Sequence, residues 1–565
     1  MRTDIFKAPV ALFVFAVSLA SCEDYFEVES KDQLFTEDYI SNQTEMYAGM
    51  MGILRKVQEV GDKQILLTDT RAEMLEPTDQ STAELIAIYN YDDDLQGNSY
   101  ANPSGYYSVV ISCNDYLQKM REFKEHSPER ITDKEVYRQL ISSTLRIKVW
   151  AYKTIAEIYG EAIWFDSPIH KLENLADSVH FERLGLEQTM DKCLGLILDG
   201  YDGIPANLDV DWIAWLDPTN ITNEEGSSYR QWNFTIPPVE GLLAELCLWK
   251  GAFLDRAGVD ATRYYRMAAD TLLHGLNRFI SDQNYQGYWL PCAYTKGRYE
   301  RYWDNSTPRP EETVAAISYS YEDGQTNTLI SHFSADAPAK YLLRPSVAGM
   351  NRFTDNALNP GASLDNRTSI VFSLSGGKSY LTKFRPLSGG HRPQAHQEDV
   401  PIYIYRATQY HMMLCEALNH LQRFKAADAL LNNGVNMVYV PGAPEWKGFN
   451  ADWTSNASWG TRTYPHMGIR GAFSLTPRTF YTILDSQTTS EHAIRSNDMA
   501  ILDEWLLEFS CEGKNYPAMI RHAHRYGDFS IIADRIAPKY GSRKDEIKNK
   551  ILSGAYFVKY DLNIN

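Results

Sequence analysis

Glu504, Glu508 and Glu512 fall at i, i+4 and i+8, which puts three carboxylates on one face of a helix. Paired carboxylates hydrolyse glycosides only when they flank the bond at a defined separation. Three in a row along one helix more often make ion pairs with a neighbouring element. His391 and His396 sit in a Gly- and Pro-rich loop, and His522 and His524 lie near the end of a helix. Neither pair has a third ligand nearby, so these histidines are expected to face solvent. Asp92-Asp93-Asp94-Leu95-Gln96-Gly97 begins like a calcium loop, but its twelfth position is Pro103 instead of a bidentate glutamate. No metal site is expected. The chain has no His-Glu-x-x-His, no Gly-x-Ser-x-Gly, no phosphate loop and no dinucleotide fingerprint. Neither a cofactor nor catalysis is therefore expected. Binding chemistry is densest at Tyr299-Glu300-Arg301-Tyr302-Trp303-Asp304-Asn305, which places three aromatics beside four hydrogen-bonding side chains. Sugar rings pack C–H faces on phenol and indole rings, while their hydroxyls need polar partners at the edge. Trp289 joins that surface if the chain turns near Gly297.

The elements that must carry these residues are helical. Tyr403, Ala407, Tyr410, Leu414, Ala417 and Leu421 form one stripe, and Ala426, Ala427, Ala429 and Leu430 restart a helix after a short turn. The spacing predicts a helix hairpin over 401–433, the unit of tetratricopeptide-like repeats, which must stack on neighbours to bury its stripe. Leu145, Val149, Tyr152, Ala156 and Tyr159 form a second stripe, followed by an apolar helix within Leu184–Tyr201. Val239–Leu254 with Tyr264, Ala268, Leu272 and Phe279 forms another hairpin. Helical hairpins are expected at about 36–125, 133–202, 239–280 and 401–433. Thr132-Asp133-Lys134-Glu135 offers a capping-box-like start. A last long helix is expected at Ser496–His522. Gly61–Tyr100 and 281–399 read as irregular excursions, the second dense in Gly, Pro, Ser and aromatics. The fold class expected is mainly α, a scaffold of helix hairpins with long loop excursions.

Residues 1–21 stand apart. Arg2 and Lys7 precede an apolar run from Ala8 to Ala20, too short to span a bilayer permanently. The run ends Leu19-Ala20-Ser21-Cys22, which resembles a bacterial lipobox and marks Cys22 as the acylated N-terminus of the mature chain. Glu23 and Asp24 follow, similar to the surface-export signal of Bacteroidetes lipoproteins. Residues 22–565 show no linker or low-complexity block and read as one domain. The formal charge of −18 argues against nucleic acid. The sequence holds 12 Trp, 36 Tyr and 22 Phe, enough for both helix packing and ligand contact. Beyond Cys22 the six cysteines show no Cys-x-x-Cys spacing, and four lie in apolar helical patterns as small hydrophobes.

Taken in order, several passages resemble the SusD/RagB family of nutrient-binding outer-membrane lipoproteins. Leu145-Arg146 through Ile158-Tyr159-Gly160 is similar to the family's arginine-containing helix ending in Tyr-Gly. Asp365-Asn366-Arg367, followed by Tyr380 to Lys383-Phe384, is similar to its "Asp-x-Arg … Tyr-x-x-Lys-Tyr/Phe" passage. Arg406 with Cys415-Glu416-Ala417 matches "Arg-x-x-Glu … Ala-Glu-Ala", with Gln409 in place of glutamate, and Glu504, Glu508 and Glu512-Gly513 match the late glutamate helix. Trp505, Asn515 and Ala518 stand where that motif prefers Arg, Arg and Asp, departures that bear on a buried ion-pair network and not on the fold. The resemblance implies a non-enzymatic protein, lipid-anchored in the outer membrane and facing the cell exterior. It would capture oligosaccharides and pass them to a SusC-like TonB-dependent transporter. Peptide or glycopeptide capture is the alternative within the family, and a surface glycosidase the alternative outside it. The resemblance places ligands on the irregular segments. The candidates there are Arg71, Tyr91, Asn98 and Tyr100 from the first excursion, and Tyr288, Trp289, Tyr299, Tyr302 and Trp303 from the second. Trp303 is expected to be a loop aromatic whose loss weakens binding and barely moves stability.

Overall fold

A computed structural model describes residues 40–169, 179–209, 235–281, 303, 313–336, 338–355, 365, 367–384, 398–454, 457–459, 462–464, 467–472, 480–485 and 490–562. The chain opens with α1 (Gln43–Glu59), capped by the Asn42 side chain, which accepts the Glu45 N–H at 3.1 Å. Next come α2 (Lys63–Arg71), β1 (Leu75–Pro77) and α3 (Ala83–Tyr89). Gly61–Tyr100, expected to be irregular, thus holds two helices and a strand. The long pair α4 (Ser104–His126) and α5 (Lys134–Tyr159) follows. Asp133, not Thr132, caps α5, its carboxylate accepting the N–H groups of Glu135 and Val136. Gly160 ends α5 at φ +76°, where a Cβ would lie 2.4 Å from the Phe557 ring. That close approach explains why the helix closes on Tyr-Gly.

A hairpin of β2 (Glu161–Trp164) and β3 (Glu182–Gly185) leads into α6 (Leu186–Asp199), then α7 (Val239–Arg256) and α8 (Thr262–Ser281). The middle region, expected to be loop-rich, carries β4 (Thr313–Ile317), α9 (Leu329–Phe333), β5 (Leu343–Pro345), α10 (Val347–Asp355), α11 (Thr368–Val371), β6 (Phe372–Ser375) and β7 (Lys378–Leu381). Gly376 and Gly377, at φ +58° and +74°, make the tight turn of the last two strands.

β8 (Ile402–Arg406) corrects the stripe read from Tyr403. Ile402-Tyr403-Ile404-Tyr405 is a β-branched and aromatic run, buried on both faces and paired antiparallel with β4, Ile402 opposite Ile317. The helix α12 starts only at Ala407 and runs to His420, and α13 (Phe424–Asp428) continues as one π turn through Asn433. Small pieces follow, β9 (Ala457–Trp459), β10 (Arg462–Tyr464) and α14 (Ile469–Ala472). The end of the chain is α15 (Ser490–Phe509), α16 (Asn515–Tyr526), α17 (Ser530–Ile536), a 3-10 segment over Ala537–Arg543, and α18 (Lys544–Lys550). The single long helix expected over Ser496–His522 is therefore two. Cys511 and Gly513 take φ +62° and +74°, and the Asp69 carboxylate accepts both their N–H groups, at 3.2 and 2.7 Å. A turn held this way breaks the helix despite its continuous apolar pattern.

α5 packs on α4 and α6, α7 on α6, α8 and α16, and α12 on α8 and α15, so the hairpins stack as repeats do. Leu414 of α12 is fully buried in this stack. Leu414→Ala is expected to destabilise by about 2–5 kcal/mol, read as a lower denaturation midpoint. A shift typical of surface sites, below about 0.5 kcal/mol, would contradict the register. Cys113, Cys193, Cys247, Cys415 and Cys511 are free and buried, and Cys292 lies outside the described residues. No helix among the described residues is long and apolar enough to cross a membrane.

Candidate functional site

Among the described residues, Glu504 and Glu508 of α15 and Glu512 in the turn after it, expected from the sequence to share one helix face, meet cations from four separate segments. Arg367 clamps Asp365 with two guanidinium nitrogens (3.0 and 2.7 Å) and reaches Glu504 at 2.6 Å and Glu508 at 3.2 Å. Arg470 holds the other Glu504 oxygen at 2.7 Å. Arg406 bridges Glu508 (3.0 Å) and Glu512 (2.8 Å), and Lys383 donates to Glu512 at 2.5 Å. Among the described residues, Arg367, Arg406, Arg470 and Lys383 pair with Asp365, Glu504, Glu508 and Glu512, all but closed to solvent. Burial works against charge on Glu512, but Arg406 and Lys383 outweigh it and hold its carboxyl below the usual range. Carboxylates fixed and neutralised in this way tie 365–384 and β8 to α15; they face no cleft. The departures at Trp505 and Asn515 leave the network whole, because its charges sit at the matched positions.

A second buried set joins α12 to α15 and α16. Arg521 and Arg525 hold Glu416 well below the usual carboxylate range against the opposing effect of burial. Arg525 also reaches Asp498 at 2.8 Å, as does His420 at 2.9 Å. His522, expected to face solvent, is fully buried beside this set, its Nδ1–H donating to Ala518 O at 2.8 Å, and burial lowers its pKa to about 4. His524 is partly exposed, and burial pushes it down to about 4 as well. His391 and His396 lie outside the described residues. Among the described residues no group of three or more His, Cys, Asp or Glu side chains is arranged to hold a metal.

The proposed ligand residues of the first excursion turn inward. Arg71 is buried, 4.0 Å over the Tyr91 ring, and donates to the carbonyls of Ala555 and Phe557. Tyr91 is buried too, its hydroxyl donating to Arg71 O at 2.6 Å. These two pin the excursion to the C-terminal segment and offer no ligand face. Asn98 is buried and shapes its own turn: Nδ2 donates to Glu84 O (2.9 Å), and Oδ1 accepts the N–H groups of Tyr100 and Ala101. Tyr100 remains half-exposed and donates to His332 Nε2 at 2.9 Å, while His332 Nδ1 is engaged by Thr328 O. Trp303 is 1% exposed, edge-on to Phe384 and Tyr403 with the Lys383 ammonium 4.8 Å from its ring. It is a core residue, not a loop aromatic. Tyr288, Trp289, Tyr299, Tyr302 and Cys22 lie outside the described residues.

Another surface has the chemistry that was sought. β1 and β5 pair with Glu76 opposite Arg344, and the two side chains form a partly exposed ion pair at 2.8 Å. Tyr341 enters β5 at φ +51°, and its half-exposed ring lies 5.4 Å from that of Tyr380 on β7. The Tyr341 hydroxyl donates to Ser379 O, and Ser379 Oγ to Pro345 O, so the hairpin of β6 and β7 is docked on β5. Tyr89, at the end of α3, is half-exposed, backed by Tyr540 at 4.5 Å and by the Lys539 ammonium at 4.8 Å. Burial first, then Glu76, raises the pKa of Tyr89, while burial and the Tyr380 ring raise that of Tyr341, on which Glu76 also acts. Two half-exposed phenol faces, Tyr341 and Tyr380, beside the strand pair that carries the Glu76–Arg344 ion pair match the needs of a sugar ring. Sequence reasoning missed these residues because they stand in three distant segments; β-branched or charged spacing gives no sign of them. Glu76 also borders an open cleft of ≈ 870 Å³ between α10, α15 and α17.

No protein-family model and no curated protein matches the sequence. Solved structures do match. A SusD superfamily protein from Bacteroides thetaiotaomicron superposes with TM-score 0.57 at 14% identity, covering 93% of this chain and 96% of that one. A SusD-like carbohydrate binding protein from Bacteroides vulgatus gives 0.54 at 12% identity over 85% and 84% of the two chains. A laminarin binding SusD-like protein gives 0.51 at 13% identity over 88% and 94%. At such identities the likeness establishes architecture, and it covers nearly the whole chain: the protein has the mainly α, SusD-like fold.

Proposed function

We propose that this protein captures oligosaccharides at the cell surface and delivers them to a SusC-like TonB-dependent transporter. The observation that carries the reading is the fold, shared over 85% and 88% of this chain with a carbohydrate binding and a laminarin binding SusD-like protein. The half-exposed tyrosines Tyr341 and Tyr380 near Glu76 and Arg344 supply the matching chemistry, and Tyr100 and the sequence candidates Trp289, Tyr299 and Tyr302 are separate positions to be tested. A non-enzymatic role agrees with the buried, compensated state of the α15 carboxylates. Affinity electrophoresis against a glycan panel that includes laminarin tests the proposal. Retardation by at least one glycan, with no cleavage of oligosaccharides on incubation, is expected. Free migration through every glycan would overturn it.

Cys22 is the proposed lipid anchor, acylated after cleavage at Ser21. Each buried methylene contributes about 0.8 kcal/mol, so several acyl chains hold the domain at the outer membrane. Cys22→Ala is expected to move the protein to the soluble fraction. Retention of the variant in the outer-membrane fraction of cells lacking the transporter would contradict the anchor.

A further inference from the structure

The cleft of ≈ 870 Å³ beside Glu76 lies in the size range of ligand sites. Its charges are unevenly paired. Arg352 of α10 and Arg535 of α17 both donate to one oxygen, Oδ1 of Asp503. Two guanidinium groups present more N–H donors than one carboxylate can accept, and the buried Glu73 also acts on Arg352. The other acids of the lining have their own cations: Arg495 for Asp528 at 2.6 Å, Lys548 for Asp534 at 2.5 Å and Arg344 for Glu76 at 2.8 Å. The Lys539 ammonium is held by the carbonyls of Thr70, Ala72 and Leu75. The lining as a whole is balanced, four acids against four cations, but its guanidinium donors converge where Arg352 and Arg535 share one carboxylate, in a concave site on a chain of formal charge −18. Arg352 is 38% exposed and presents a planar fork suited to a carboxylate. Val347, 64% exposed, and Ile531 add an apolar edge for the C–H face of a ring.

We propose that this cleft is a second binding site, which takes the carboxylate of an acidic sugar residue, a uronate, on Arg352 and Arg535. The proposal rests on the glycan-binding reading and adds its ligand class. Neutral parts of the same chain would extend past Glu76, the lining residue on β1, toward Tyr341 and Tyr380 beside the partner strand β5. The salt dependence of an exposed ion pair follows, since added salt screens it.

Calorimetric titration with trigalacturonate and with its carboxyl-reduced, neutral counterpart tests the site, at low and at high salt. The full mature chain is expected to bind the uronate about tenfold more tightly, an effect equal to about 1.4 kcal/mol, and to lose that margin in high salt. R352Q is expected to remove the preference while leaving the melting midpoint and the binding of the neutral trisaccharide unchanged. R535Q, at a more buried position, is expected to act in the same direction. Equal affinity for the two trisaccharides, or a preference that survives both variants, would overturn the site. If neutral glycans bind and trigalacturonate does not, this inference alone fails; if no glycan binds at all, the reading beneath it fails as well.

Discussion

Arg367→Leu is expected to destabilise the protein by about 3–5 kcal/mol, because it strips the cation from a closed pocket of carboxylates. Arg367 makes contacts to Asp365, Glu504 and Glu508, and none of these side chains is exposed. Without it Asp365 loses its two-nitrogen clamp, and Glu504 and Glu508 each lose one buried cation. Leucine fills part of the volume but donates no hydrogen bond to the carboxylates. The denaturation midpoint measures the loss, and Arg367→Lys should recover part of it, since the charge returns without the two-nitrogen clamp on Asp365. A midpoint within about 0.5 kcal/mol of wild type, as at ordinary surface positions, would mean the network is not what joins 365–384 to α15.

Trp303→Ala is expected to cost about 3–5 kcal/mol, the range for deleting a large buried aromatic. The ring is 1% exposed and packs edge-on against Phe384 and Tyr403, with the Lys383 ammonium over it. Its removal opens a cavity beside β8 and loosens Lys383, which serves Glu512. The sequence reading expects the reverse, a small change in stability and a large one in binding. A melting curve separates them: a clear fall in the midpoint supports the core position, and an unchanged midpoint with weakened glycan binding supports the loop position.

Helix stripes were legible wherever one face is buried for several turns. The residues Leu145, Val149, Tyr152 and Ala156 are all buried on α5, and Leu414 is buried on α12. Legibility failed where tertiary partners decide. Tyr403 keeps a helical spacing with Ala407 and Tyr410, yet pairing with β4 makes it strand. The break at Cys511 and Gly513 depends on Asp69, more than 400 residues earlier in the chain. Arg71 and Tyr91 have the residue types of a sugar site, but their partners are each other and the C-terminal carbonyls. The ion network could be anticipated from motif order, whereas its cations at 367, 383, 406 and 470 share no spacing. Tyr341 and Tyr380 come together only through the docking of β7 on β5, so no local window reveals them.

The most direct test of glycan capture at this surface is titration of wild type and a Tyr341→Ala, Tyr380→Ala double variant with the best glycan of the panel. These rings are half-exposed and rest on the docked hairpin instead of the helical core. Loss of two stacking faces is expected to weaken binding by about 1–3 kcal/mol, the range of an interface hot spot, with little change in the melting midpoint. Full affinity in the double variant, with the fold intact, would contradict the account.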